Sequence, residues 1–170
     1  MDLDEALADL VTRSGDRLLR VAYQLTHDRA AAQDLVQDAL LRVYGSLRRR
    51  GLEPGDWCAY VRRAVVNEYL RTRRLRASSE IVTDTLPDRP GGPPPDDQIA
   101  DREQLWHALA ALSVRQRAVL VLRYYEDMGD REIAAALGCR DATVRSLASR
   151  GLAALRELAE PASAGQGSTT

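Results

Sequence analysis

The chain has 170 residues, of which 45% are hydrophobic and 5% aromatic, with no phenylalanine. This composition disfavours an aromatic-rich β-sandwich and favours helices packed through Leu, Ala and Val. No apolar run reaches the roughly 18 residues of a membrane span, and the acidic start MDLDEALADL lacks the basic head of a signal peptide. Two cysteines and two histidines without CxxC spacing predict no metal site. We therefore expect a cytoplasmic protein without a cofactor.

The first lobe, residues 1–77, is predicted to be a small bundle of three or four helices. Apolar spacing predicts a first helix over much of 3–26, a second after Asp28 and a third over about 56–76, with a loop near Gly51, Pro54 and Gly55. The residues expected to face inward are Leu3, Leu7, Leu10, Val11, Leu18, Ala22, Leu25, Ala32, Leu35, Val36, Ala39, Leu40, Val43, Trp57, Val61, Ala64, Val65 and Tyr69.

The third predicted helix lies in the most basic part of the chain. Residues 42–76 contain ten Arg and three acidic residues, a net charge of +7. Clustered arginine indicates contact with a phosphate backbone, and Trp57 and Tyr60 at the start of this helix suit stacking on unpaired bases. The alternatives are a solvated basic face for the arginines and core packing for Trp57.

A linker, residues 78–100, follows the first lobe. Its segment TLPDRPGGPPPDDQ (85–98) holds five of the seven prolines, and proline lacks the amide donor that a helix or sheet needs. We expect an extended, acidic tether here and a disordered tail over 161–170.

The second lobe, residues 101–160, contains a helix-turn-helix pattern. Ser113 and Gln116 form a capping-box signature for one helix. In GDREIAAALGCRDATVRS (129–146), Ala134 is small where two helices must touch, Gly138 suits a left-handed turn, and Val144 packs the second helix onto the first. With Asp141 as its N-cap, this recognition helix would expose side chains to the major groove. The candidate DNA-contacting residues are Arg140, Thr143, Arg145, Ser146, Ser149 and Arg150.

A family resemblance is carried by three segments in chain order: DLVQDALLRVYGSL, GDWCAYVRRAVVNEYLRTRR and, after a Pro-rich linker, LSVRQRAVLVLRYYEDMGDREIAAALGCRDATVRS. Together they resemble an extracytoplasmic-function (ECF) sigma factor of bacterial RNA polymerase, in the sigma-70 family. The resemblance covers about 9–158. It implies an all-α fold of two small helical domains, joined by a Pro/Gly-rich acidic linker, with the helix-turn-helix in the second domain. Domain 1–77 would resemble sigma region 2, and domain 101–160 would resemble sigma region 4.

The resemblance also implies the partners and the sites. The second helix would dock on the β′ clamp helices of core RNA polymerase through Asp34, Gln37, Asp38 and Arg42. The second lobe would read the −35 element and meet the β flap, and a separate anti-sigma factor would regulate the protein. The loop 47–57 and the third helix would read the −10 element and hold melted DNA through Arg48, Arg49, Arg50, Trp57, Tyr60, Arg63, Asn67, Arg71 and Arg74.

Two departures from the family pattern stand out. Glu68 and Tyr69 replace the usual Ala or Leu followed by Asp-Tyr, and the loop 47–57 carries three successive arginines, 48–50. The first departure shifts the acidic contact of this helix, and the second leaves the base preference of the loop open.

The sequence predicts a non-enzymatic transcription factor, because no nucleophile–base pair, phosphate-binding loop or metal cluster is evident. Two alternatives stay open at this stage. One is a stand-alone helix-turn-helix regulator with an N-terminal interaction bundle. The other is a helical enzyme or scaffold whose hairpin imitates DNA-binding geometry.

Overall fold

The computed structural model describes residues 2–51, 54–78 and 107–159, and these residues form helices and no strands. This confirms the all-α prediction for the described part of the chain. The linker prolines and the tail residues 161–170 lie outside it, so the predictions made for them stay predictions. The helices with both ends described are α1 (Leu3–Thr26), α2 (Arg29–Arg50), α3 (Trp57–Ser78), α4 (Val114–Leu120), a π-helical segment (Val121–Tyr125), α5 (Asp130–Leu137) and α6 (Asp141–Ala159). Residues 107–111 are helical as well.

Local signals explain where α1 and α2 begin and end. Asp2 and Glu5 form a capping box at the start of α1, and the helix ends at His27, which has a positive φ of 52°. The Asp28 side chain accepts from the amide of Ala31 and so opens α2. Gly51, with a φ of 62°, closes α2.

The three arginines predicted in a loop, Arg48, Arg49 and Arg50, form the last turn of α2 instead. Arginine is a good helix former, and its positive charge is favourable beside the negative C-terminal end of the helix dipole. The sequence-based placement of these residues in a loop was therefore wrong.

The predicted apolar stripes of α1, α2 and α3 form the core of the first lobe. Leu18, Val21, Leu25, Val61 and Val65 are almost completely buried. One of the predicted core residues deviates clearly, because the Val11 side chain is 45% exposed. The predicted core residues that are only half-buried are Leu3, Leu7, Leu40, Trp57 and Ala64.

The second lobe confirms the predicted cap at Ser113 and the predicted turn at Gly138, but not the predicted cap at Asp141. Ser113 accepts from the amide of Gln116, whose side chain reaches back to the Ser113 amide. Gly138 has a φ of 63° and closes α5, and the Cys139 amide donates to the carbonyl of Ala134 at 3.0 Å. Asp141 is the first residue of α6 rather than its N-cap. Its carboxylate still lies at the positive end of the helix dipole.

A close crossing fixes α6 on α4. Val144 is completely buried, and Leu147 and Ala148 are nearly so. Gly151 is also buried, and a Cβ placed on it would lie 3.1 Å from Cδ1 of Leu120. The absence of a side chain at this position therefore allows the two helices to approach each other closely.

The two lobes pack against each other, and their buried residues form one continuous hydrophobic cluster. Helix α3 of the first lobe contacts both α4 and α5 of the second. Buried polar groups join the two lobes as well. Within the described ranges, no helix combines the length and hydropathy that crossing a lipid bilayer requires.

Candidate polymerase and DNA interfaces

One face of α2 carries the residues predicted to bind polymerase. Asp34, Gln37, Asp38 and Arg42 are all exposed. Their spacing of three or four residues places them on one side of a helix. The opposite side of α2 is buried in the bundle. We call this exposed side the α2 face.

The α2 face includes an apolar residue that the sequence analysis missed. Leu41 is 70% exposed, although it is a large hydrophobic side chain. It lines an open groove together with Asp38, Arg42 and Arg49. A single apolar side chain ringed by polar groups is typical of an interface anchor. Leu41 lies four residues after Gln37 and three after Asp38, and this helical spacing could have placed it on the α2 face from the sequence alone.

Glu68 also lines this groove, and its side chain is 3% exposed. Its Oε2 atom lies 2.7 Å from Nε of Arg42 on α2, and its Oε1 atom lies 2.5 Å from Nη2 of Arg71 on α3. The hydrogen bond from Arg71 lowers the pKa of Glu68, against the opposing effect of burial. Glu68 is therefore the anion that holds the two arginines.

Five of the residues predicted to contact the −10 element form a stripe along α3, whereas Arg48, Arg49 and Arg50 lie in the last turn of α2. Tyr60, Arg63, Asn67, Arg71 and Arg74 recur at intervals of three or four residues. Arg63, Asn67 and Arg74 are exposed, whereas Tyr60 and Arg71 are half-buried. The stripe can therefore offer an amide and several guanidinium groups to a nucleic-acid strand.

The start of α3 positions the two aromatic residues. Asp56 caps the helix by accepting from the amide of Ala59 at 2.9 Å. Trp57 and Tyr60 are half-buried and pack against the hydrophobic cluster. Each ring thus has one part in the core and another at the surface, so packing and base stacking are compatible.

The recognition helix, α6, presents the predicted −35 residues to solvent. Arg140, Arg145, Ser146, Ser149 and Arg150 are exposed, and Thr143 is half-buried. The surface is open and carries three guanidinium groups. Its geometry suits bidentate contacts to guanine in a major groove.

The ion pairs between this region and neighbouring acidic residues are long. Nη1 of Arg145 lies 3.9 Å from Oδ2 of Asp130, and the Arg145 side chain is 61% exposed. Nε of Arg131 lies 3.8 Å from Oδ2 of Asp141. Exposed pairs at these distances contribute little to stability, so Arg145 is available for a new partner.

Two charged residues of the second lobe are buried where the lobes meet, a region we call the seam. The Glu126 side chain is 2% exposed and pairs with Nη2 of Arg17 at 3.0 Å and with Nη1 of Arg62 at 2.9 Å. Arg117 donates to the carbonyl of Leu25 at 3.2 Å and to the Tyr69 hydroxyl at 3.4 Å. Burial lowers the pKa of Arg117 from its usual value.

The seam also places the helix-turn-helix beside the basic helix. A groove of about 190 Å³ between α3 and α5 is lined by residues that include Arg63 and Glu132. The −10 stripe on α3 and the helix-turn-helix therefore lie next to each other. Arg62 was predicted on a basic helix, but its hydrogen bond to a residue 64 positions away was not predicted.

Comparison with known proteins identifies the family. Residues 10–78 match the model "Sigma-70 region 2", and residues 102–155 match "Sigma-70, region 4". The RNA polymerase sigma-E factor of Streptomyces coelicolor is 43% identical over 143 residues, which cover 84% of this chain and 79% of that protein. The ECF RNA polymerase sigma factor SigL of Mycobacterium tuberculosis is 35% identical over 150 residues, covering 82% and 80%. The chain belongs to the ECF sigma factors. As a member of the sigma-70 family, this sigma factor binds RNA polymerase and directs promoter-specific initiation, so a stand-alone regulator is not favoured.

Solved structures share the fold of this sigma factor. The sigma factor RpoE of Bartonella quintana, in complex with the anti-sigma factor NepR, superposes with a TM-score of 0.67 at 24% identity and covers 91% of this chain and 97% of that one. CnrH, in complex with the cytosolic domain of CnrY, gives 0.64 at 23% identity, covering 92% and 88%. At these identities the likeness establishes the fold.

Proposed function

We propose that the two lobes of this sigma factor have different functions, which the residues described above carry out. The α2 face binds the β′ clamp helices of core polymerase, the stripe on α3 reads the −10 element and holds melted DNA, and α6 reads the −35 element. The chain supplies no catalytic group, since nucleotide addition belongs to the core enzyme. We place the protein in the cytoplasm, where bacterial transcription occurs. The residue ranges 1–77 and 101–160 remain our proposed boundaries for the two functional domains.

The observation that supports this division is that the α2 face, the stripe on α3 and the surface of α6 are three separate, wholly or partly exposed surfaces. Charged and amide side chains on the α2 face suit docking to a polar partner helix, with Leu41 as its apolar anchor. Arginine and asparagine on α3 suit a single strand, and the open arginines on α6 suit a duplex groove.

Because the lobes pack together at the seam, the proposed function requires a conformational change. Elements centred 25 base pairs apart are separated by roughly 85 Å of duplex at about 3.4 Å per base pair. With α5 packed against α3, the two lobes are too close to read both elements. We therefore propose that the lobes separate on core polymerase, and that a separate anti-sigma factor would favour the closed arrangement.

Titration of core RNA polymerase with a variant that reverses two charges on the α2 face tests the proposal. Asp34→Arg combined with Asp38→Arg is expected to weaken core binding by at least 100-fold, because like charges would face each other across the interface. Asp9→Arg combined with Asp16→Arg reverses two exposed charges on α1 and should leave the affinity unchanged. Equal affinity of the two double variants would contradict the assignment of the α2 face.

A further inference from the structure

Glu68 joins two arginines that lie on different proposed interfaces. Arg42 belongs to the α2 face, and Arg71 belongs to the −10 stripe on α3. Each oxygen of the Glu68 carboxylate has a different arginine as its nearest partner, at 2.7 Å for Arg42 and 2.5 Å for Arg71. Nε of Arg71 also lies 3.1 and 3.2 Å from the two oxygens. One buried carboxylate therefore serves both guanidinium groups.

Because Glu68 is buried, its negative charge depends on the two arginines for compensation. A buried carboxylate is costly unless cations and hydrogen bonds compensate it. The hydrogen bond between the two residues raises the pKa of Arg71 and lowers that of Glu68. The charge of nearby Asp38, on the α2 face, raises the pKa of Arg71 as well. The network thus extends from the polymerase side of α2 to the DNA side of α3.

The arginines remain accessible despite their shared partner. The side chain of Arg42 is 57% exposed, and that of Arg71 is 43% exposed. Each can therefore contact a second partner while Glu68 fixes its position. If one arginine is removed, the carboxylate must satisfy both oxygens with the other and will draw it away from its external partner.

We propose that Glu68 is a positioning residue that couples polymerase binding at Arg42 to −10 strand contact at Arg71. This inference rests on the proposed function, because it assumes the interfaces assigned to the two arginines. It predicts an effect across the interfaces: a change on the DNA side alters polymerase affinity, and a change on the polymerase side alters −10 discrimination.

The first test measures core polymerase affinity in the absence of DNA. Arg71→Ala should weaken core binding roughly 3- to 10-fold, as expected for residues in one charge network. The same substitution in a Glu68→Gln background should have no effect, since a neutral amide does not recruit Arg42. Arg76→Ala, which removes another arginine from α3, is the matched control and should leave the affinity unchanged.

The second test measures −10 base discrimination at saturating polymerase. Arg42→Ala should reduce the ratio of opening rates on consensus and mutated −10 elements, again by roughly 3- to 10-fold, and only when Glu68 is present. A purely structural role for Glu68 would lower the melting temperature without producing either effect.

The outcomes separate this inference from the function on which it rests. If Asp34→Arg combined with Asp38→Arg leaves the core affinity unchanged, the proposed function of the α2 face is wrong. If that variant weakens binding, and Arg71→Ala leaves the affinity unchanged or weakens it equally with Gln at position 68, the coupling is wrong. If the Glu68→Gln protein does not fold, the Arg71→Ala and Arg42→Ala effects in the wild-type background still decide, because their absence overturns the proposal.

Discussion

Nη1 of Arg62 lies 2.9 Å from Oε2 of Glu126, across a distance of 64 residues in sequence. The Glu126 side chain is 2% exposed and that of Arg62 is 15% exposed. The pair therefore buries two charges between the basic helix of the first lobe and the segment that precedes the helix-turn-helix. Separating the lobes would return both charges to water, so the ion pair favours the closed form without making opening prohibitive.

Substitution of Glu126 should uncouple the lobes. Glu126→Gln leaves Arg62 and Arg17 without a counter-charge, and breaking a buried pair in this way costs on the order of 3 kcal/mol. The loss is limited because both arginines can rehydrate when the seam opens. We expect calorimetry to show one unfolding transition for the wild-type protein and two separate transitions for the Glu126→Gln protein.

The neighbouring Asp127 provides a matched control for this experiment. Asp127 is exposed and has a positive φ of 52°, which asparagine tolerates. Asp127→Asn should therefore preserve a single transition. A single unchanged transition in the Glu126→Gln protein would show that the ion pair does not hold the lobes together.

The free energy of unfolding should fall as the pH drops from about 6.5 towards 4, because His27 is protonated more readily in the unfolded chain than in the folded one. Burial lowers the pKa of His27 to about 4, whereas an unfolded histidine titrates near 6.5. Below pH 6.5 the unfolded chain binds a proton that the folded chain excludes, so protons favour unfolding, at a cost of up to about 3 kcal/mol by pH 4. Chemical denaturation at several pH values measures this slope.

His27→Asn isolates that contribution. Asparagine tolerates the left-handed conformation at this helix end and does not titrate. The variant should lose the part of the pH dependence that lies between 6.5 and 4. An identical slope in both proteins would assign the dependence to other groups.

Arg145 should discriminate among −35 sequences. Arg145→Ala removes an exposed guanidinium from the recognition helix, and a bidentate contact to guanine contributes about 1–3 kcal/mol of discrimination. Transcription from a consensus −35 promoter should fall roughly 5- to 100-fold relative to a promoter mutated at the contacted base. Arg156→Ala, near the far end of α6, is the control. Unchanged ratios on a panel of single-base −35 variants would exclude Arg145 from the groove.

Trp57 should contribute to both packing and promoter opening, since it is half-buried. Trp57→Ala is expected to lower the melting temperature moderately and to slow opening more than closed-complex binding. Trp57→Phe retains an aromatic ring and should recover much of both properties. A stable Trp57→Ala protein with normal opening kinetics would remove Trp57 from the melted-DNA site.

Local sequence signals were sufficient to predict the helices and the surface of the recognition helix. The capping box at Ser113 and the left-handed turn at Gly138 depend on neighbouring residues, so their chemistry can be read along the chain. The exposed residues of α6 follow from the position of that turn. The sequence-based error at Arg48, Arg49 and Arg50 arose because basic residues are compatible with both a loop and the last turn of a helix.

The seam could not be predicted from the sequence, because its polar contacts are long-range. Glu126 and Arg17 are separated by 109 residues, and Arg117 and Leu25 by 92. In sequence, each of these charged residues is indistinguishable from a solvated one. The burial of Glu68 was hidden for the same reason, since it depends on how α2 packs against α3.

The most direct test of the account is the distance between the lobes, measured before and after binding to core polymerase. Spin labels at Ala8→Cys on α1 and Glu157→Cys on α6, with Cys58 and Cys139 replaced by alanine, report this distance by pulsed electron paramagnetic resonance. We predict a single distance in the free protein, that of the closed arrangement, and an increase of tens of ångströms in the complex, consistent with the roughly 85 Å of duplex between the promoter elements. An unchanged distance in an active holoenzyme would contradict the proposal that the seam opens when the protein reads a promoter.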